Sequence, residues 1–146
     1  MQNKTLLLFI GVLIIGAFFR FYLIQEIPPG LYPDEATNGN NAVEALSTGA
    51  FKVFYPENNG REGLFINLQA IAIRALGTEP WVLRLVSAIF GTLTIAGLWL
   101  LARELSLSPL LPFFSSFFLA ASYWHINFSR IGFRAIMVPF FSVFTM

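Results

Sequence analysis

The chain has 146 residues, of which 56% are hydrophobic and only 12% charged, with 17 Phe and a mean hydropathy of +0.68. Soluble domains carry about a quarter charged residues, so this composition belongs to a bilayer protein, and a formal net charge of +1 offers no basic stripe for nucleic acid. The lack of Cys excludes disulfides, thiolate metal sites and cysteine nucleophiles, so a metal would need oxygen ligands or His125.

Residues 5–24 form one apolar run of spanning length, interrupted only by Arg20, which lies near enough to its end to snorkel. Lys4 before this run also suits a secretory signal, but "AFFRFYLIQEIPPG" has bulky residues where a cleavage site needs small ones, which points to a retained anchor. Pro28 and Pro29 then stop the span and open a loop over about 25–80.

Within that loop a helix is expected from Asp34, as its N-cap, to a stop at Gly49, with Ala42, Val43 and Leu46 as its apolar stripe. Asn38, Gly39, Asn40 and Asn41 are poor helix formers in its middle, which marks a face kept for contacts. Arg61 and Glu62 follow in "NGREGLF". Residues 63–77, "GLFINLQAIAIRALG", read as a helix too short and too polar to span, with Asn67, Gln69 and Arg74, and so as a half-inserted or interfacial one. Asp34, Glu35, Glu62, His125, Arg130 and Arg134 then share one membrane face; if 63–77 crossed, the last three would lie opposite.

The second span is expected at 81–103, with Ser87 and Gly91 as a small-xxx-small pair for close helix packing. The third is expected at 107–128, with Pro109 and Pro112 in its first turns and Tyr123, Trp124 and His125 as an interfacial belt. A fourth begins at 135 and is still apolar at 146, so the chain reads as the N-terminal part of one larger membrane domain. The fold class is therefore all-α, a polytopic helical bundle whose first extracytoplasmic loop contains an interfacial helix.

This topology puts Lys4 and Arg103 in the cytoplasm and Arg61, Arg74, Arg130 and Arg134 outside, against the positive-inside rule. Arginines beside carboxylates on the outer face fit an anionic ligand, because the planar guanidinium matches phosphate oxygens. Each group also has a purely structural explanation: Asp34 as a helix cap, Arg61–Glu62 as a solvated pair, and His125 as an interfacial aromatic.

The order of parts, "PDEA" opening the loop helix, then "GREG", "LRLVSAIFGTLTIAGLWLLAREL" and "HINFSRIGFRAI", resembles the N-terminal module of the GT-C membrane glycosyltransferases, particularly the protein O-mannosyltransferase and aminoarabinose transferase families. Those enzymes move a sugar from a polyprenyl-phosphate or polyprenyl-diphosphate carrier to a protein, lipid or glycan acceptor outside the cytoplasmic membrane. The resemblance implies that Asp34 is the catalytic carboxylate, with Glu35 and Glu62 as its partners. Relatives commonly carry an acidic residue shortly after "SR"; the stretch 131–139 has none, which puts a second acidic or metal-binding residue in doubt. A divalent metal ion is left open, with Glu62 as its candidate ligand.

Transfer to a hydroxyl needs a carboxylate to accept the proton and cations to stabilise the departing lipid phosphate. Asp34 and Glu35 supply the first, and Arg61, Arg130 and Arg134, with Glu62 and His125 beside them, line the donor site. One base and a good leaving group make a single-displacement, inverting reaction the default. The competing classes are a transporter or flippase-like protein, which would place charges inside its spans, and a non-catalytic membrane scaffold, which would tolerate loss of Asp34. The expected location is the cytoplasmic (inner) membrane, multi-pass, with the active face extracytoplasmic and membrane lipid as its surroundings.

Overall fold

An apolar sequence free of proline folds as α1 (Gln2–Phe21), three residues earlier at each end than the expected span, and a second apolar run, with Pro80 only at its first position, folds as α4 (Pro80–Leu105), within two residues of the expected span at each end. The computed structural model describes residues 2–105, 108 and 110–146 and is helical apart from one small hairpin. Among the described residues these two are the helices long and apolar enough, by length and composition, to cross a membrane; half of the apolar stretch of α4 is buried but only 17% of Lys4–Phe21 in α1. α4 is thus the central post, and α1 lies at the periphery with its apolar side chains outward.

The third expected span is not one helix. Its chain divides at Ser122 into α5 (Leu110–Ala121) and α6 (Tyr123–Arg130), while Leu107 and Pro109 lie outside the described residues. At 1.5 Å per residue α5 extends about 18 Å, well short of the hydrocarbon thickness of about 30 Å. The break is stabilised from α1: Arg20, expected to snorkel, is fully buried and donates to the carbonyls of Ala120 (3.2 Å) and Leu119 (3.3 Å) in the last turn of α5, the latter also accepting from Ser122 N (3.2 Å), as well as to Gly16 O (2.8 Å). A 3₁₀ turn (Arg134–Ile136) precedes α7 (Met137–Thr145), so the fourth apolar helix starts slightly later than expected.

Residues 25–80 fold as α2 (Pro33–Thr48), β1 (Phe54–Tyr55), β2 (Arg61–Glu62) and α3 (Gly63–Leu76), the strands pairing antiparallel with Tyr55 opposite Arg61. The N-cap of α2 is Tyr32 rather than Asp34, because Pro33 takes the first helical position, where its missing N–H costs nothing. Gly49 ends the helix in the left-handed conformation, as expected. The buried face of α2 is Glu35, Asn38, Gly39, Asn41, Ala42 and Ala45, in which three of the six residues are polar; Val43 faces outward.

α3 is about 21 Å long, and its Asn67 and the amide nitrogen of Gln69 bond to protein, whereas the buried Gln69 Oε1 has no partner among the described residues. Gln69 donates to Leu83 O (3.1 Å), and Asn67 bridges Tyr55 Oη (2.9 Å) and Lys52 O (3.0 Å). Ala42, Tyr55, Ile66, Val82 and Leu83 form the core that fixes α2 and the hairpin on α4. A second core of Phe65, Val86, Ile136 and Met137 holds the 3₁₀ turn against α3 and α4. Gly91 of α4 lies against Ser129 of α6, where a Cβ would meet the hydroxyl at 2.1 Å, so the small-xxx-small pair does mark a close helix crossing.

Candidate functional site

The two adjacent carboxylates of α2 occupy opposite environments. Glu35 is buried and saturated: one oxygen accepts from Arg84 Nε (3.0 Å) and Gly132 N (3.1 Å), the other from Tyr32 N (3.2 Å). Arg84, equally buried, spends its remaining donors on the carbonyls of Pro28 (2.8 Å), Ile24 (3.4 Å) and Gly30. This pair ties the start of α2, the Pro28–Gly30 turn, α4 and the loop before the 3₁₀ turn into one unit. Gly132 is required there, since a Cβ would stand 2.9 Å from Glu35 Cγ and 3.0 Å from Gln69 Nε2.

Asp34, in the first turn of α2, faces the hairpin instead. Asn58, Asn59 and Gly60 take positive φ (52°, 66° and 81°), the residue types that adopt the left-handed region most readily. This tight return places Asn58 Nδ2 on Asp34 Oδ1 and Arg61 Nη1 on Asn38 Oδ1, while Asn38 Nδ2 reaches Gly132 O (3.1 Å). Arg61 is 3% exposed, and its Nε and Nη2 find no acceptor among the described residues. A buried donor without a partner is costly, so Arg61 carries unused binding capacity. Burial holds the Arg61 guanidinium below its ordinary range; Asp34 pulls it back up and Arg134 pushes it further down.

Asp34, Asn38, Asn58, Gly60, Arg61 and Arg134, with Asn59 and Phe133, enclose a polar cavity of about 220 Å³. Phe133 and Arg134 also form a wall of a second hollow of about 520 Å³, lined otherwise by Glu62 and by apolar side chains including Leu64, Phe65, Met137, Val138 and Phe141. Arg134 Nη1 donates to Glu62 Oε2 at 2.6 Å where the two hollows meet. A polar chamber holding one carboxylate and two guanidinium groups therefore opens beside an apolar groove.

Two sequence-predicted residues lie elsewhere. Arg130 is spent on the end of α1 and the turn after it, donating to Phe19 O (2.9 Å) and Arg20 O (3.4 Å) in the last turn of the helix and to Leu23 O (3.4 Å) and Ile27 O (2.9 Å) beyond it. His125 does not join the interfacial aromatics: Tyr123 and Trp124 are exposed, whereas His125 is buried and accepts at Nδ1 from Arg20 Nη2 (2.7 Å). With Nδ1 accepting, the neutral ring carries its proton on Nε2, which has no partner among the described residues. Arg134, Arg61, Glu62 and Asp34 are brought together; Glu35, bonded to Arg84, Gly132 and Tyr32, does not line the cavity.

Among the described residues no three His, Cys, Asp or Glu side chains gather as a metal cluster. Glu62, the candidate metal ligand, has a guanidinium as its neighbour, and a cation there disfavours a second one. The residues sequence reasoning passed over are Arg84, Arg20, Asn58 and the carbonyl of Gly132. Asn58 had a signal in the "NNG" turn, whereas the arginines showed only as charges near span ends.

Comparison of the chain with family models, with curated proteins and with solved structures gives no match. What the fold defines is an all-α protein with two helices of membrane-crossing length and apolarity.

Proposed function

We propose that this chain is part of a GT-C-like membrane glycosyltransferase that moves a sugar from a polyprenyl-phosphate-linked donor to an acceptor hydroxyl at the extracytoplasmic face of the cytoplasmic membrane. The observation that carries this reading is the polar cavity of Asp34, Arg61 and Arg134 opening beside an apolar groove through the shared wall of Phe133 and Arg134. An amphiphile with a phosphate between a sugar and a hydrocarbon chain fits that sequence of surfaces. Hydrogen bonds from Asn38 to Gly132, from Gly132 to Glu35 and from Arg134 to Glu62 join the first loop to residues 130–134, which supports placing both on one membrane face.

Asp34 is the base. Among the described residues one of its oxygens is engaged, by the Asn58 amide, and it lines the cavity with Arg61 and Arg134. The acceptor oxygen attacks the anomeric carbon and gives its proton to Asp34 as the carbon–oxygen bond to phosphate breaks. The electron pair leaves with the lipid phosphate, whose growing charge faces Arg134 and Arg61. One displacement inverts the anomeric centre. Glu35, saturated by Arg84 and two backbone N–H groups, acts as a positioning residue that holds its neighbour in place rather than as a second base.

The transporter reading receives less support, because the buried arginines Arg20 and Arg84 are bonded to backbone carbonyls instead of lining a path. The test is release of labelled sugar from a polyprenyl-phosphate donor by membranes containing the protein, offered peptide, lipid and glycan acceptors. Transfer above that of membranes lacking the protein is expected; absence of transfer to every class overturns the proposal. Cysteines at positions 58 and 127, both exposed, should both react with an impermeant thiol reagent on intact cells, and labelling of only one contradicts the shared face.

A further inference from the structure

The two carboxylate–arginine pairs near the cavity differ in one physical property that assigns them different roles. Glu35–Arg84 is sealed, with side-chain exposures of 1% and 2%, and cannot open without stranding a buried charge. Glu62–Arg134 is 80% and 36% exposed, so water can replace either partner and the pair is worth little on its own. Yet it sits where the polar cavity meets the apolar groove, and its 2.6 Å bond takes up Arg134 Nη1, whose other acceptor, Gly60 O, is distant at 3.5 Å.

We infer that Glu62 is an internal competitor for the phosphate: it holds Arg134 before the donor arrives, yields it to the incoming phosphate, and reclaims it to help expel the spent carrier. The exchange rests on the donor seat proposed above. Its chemical logic lies in the charge change of the reaction. The glycosyl donor is a phosphodiester with one negative charge, whereas the carrier left after transfer is a monoester with close to two at neutral pH. Two guanidinium groups would therefore hold product more tightly than substrate. A tethered carboxylate that returns to Arg134 weakens both, and by shortening the stay of the more strongly held product it favours turnover.

The experiment measures binding of farnesyl phosphate, a short isoprenoid monoester, to the detergent-solubilised protein, with farnesol as the control for the chain alone. Arg134→Gln should weaken binding severalfold, and Arg134→Lys should weaken it less. Glu62→Gln should tighten it about two- to fivefold, the range of one exposed ion pair. Glu57→Gln removes a nearby carboxylate that is not bonded to Arg134 and should change affinity by much less. In an Arg134→Gln background Glu62→Gln should bring no gain, because the competitor then has nothing to release. An equal gain from Glu57→Gln, or a gain that persists without Arg134, shows general repulsion and overturns the exchange. So does unchanged or weaker binding in Glu62→Gln while the wild type binds and Arg134→Gln does not. Failure of the wild type to bind farnesyl phosphate better than farnesol removes the donor seat itself, and the exchange with it.

Discussion

Replacing Arg84 by Leu should be the most damaging single change near the cavity. The substitution leaves the Glu35 side chain 1% exposed with only the Tyr32 and Gly132 N–H groups, and frees the carbonyls of Ile24, Pro28 and Gly30 from their shared donor. Removing one partner of a buried pair costs about 3–5 kcal/mol, a large part of a total folding stability of roughly 5–15 kcal/mol. Glu35→Gln is milder: Arg84 keeps its carbonyls and one amide oxygen still accepts, so the loss is that of a charged hydrogen bond, about 1.5–3 kcal/mol. The Glu35→Leu, Arg84→Leu double variant should recover part of the loss, since no buried charge remains unpaired. Denaturant titration of the detergent-solubilised protein, followed by Trp fluorescence, measures all of these, because Trp81 packs against the same core. An Arg84→Leu cost below about 1 kcal/mol, or strict additivity in the double variant, would refute the clamp.

Arg130→Gln should lower stability by about 1–3 kcal/mol by releasing carbonyls at the end of α1, while farnesyl phosphate affinity in the folded protein stays unchanged; a fall in affinity at normal stability returns Arg130 to the donor site. Gly91→Ala places a methyl group 2.1 Å from Ser129 Oγ and should cost about 1–3 kcal/mol in the same titration, most of it recovered when Ser129 is also changed to Gly. Gly60→Ala combines a φ of +81° with a Cβ 2.5 Å from the Phe54 ring, so the hairpin should loosen and farnesyl phosphate binding should weaken, whereas unchanged affinity separates the hairpin from the site.

Much of the helical frame was legible in the sequence because apolar length and helix-stop chemistry are local properties. α1 and α4 follow from long apolar runs despite Arg20 and Arg84 within them, and α2 ends where Gly49 permits a left-handed residue. The break at Ser122 was not legible, since no proline or glycine marks it and its stability comes from Arg20, about a hundred residues away in sequence. The polar face of α2 was recognised as unusual, but its partners Arg61, Arg84 and Gly132 lie far along the chain. The arginines were the least legible part. A guanidinium that caps carbonyls and one that awaits an anion look identical in a sequence, and only packing separates Arg130 from Arg61. At least one arginine on the expected outer face, Arg130, therefore has a structural cause.

The proposed catalysis depends most directly on Asp34, and one comparison isolates it. Asp34→Asn keeps the size of the side chain and a hydrogen-bonding oxygen for Asn58, so the protein should fold and bind farnesyl phosphate as the wild type does. Sugar transfer from a polyprenyl-phosphate donor should nevertheless fall by about 10² to 10⁴, the usual contribution of a positioned base. Near-full transfer by Asp34→Asn at normal protein level and donor affinity would contradict the assignment of Asp34 as the base.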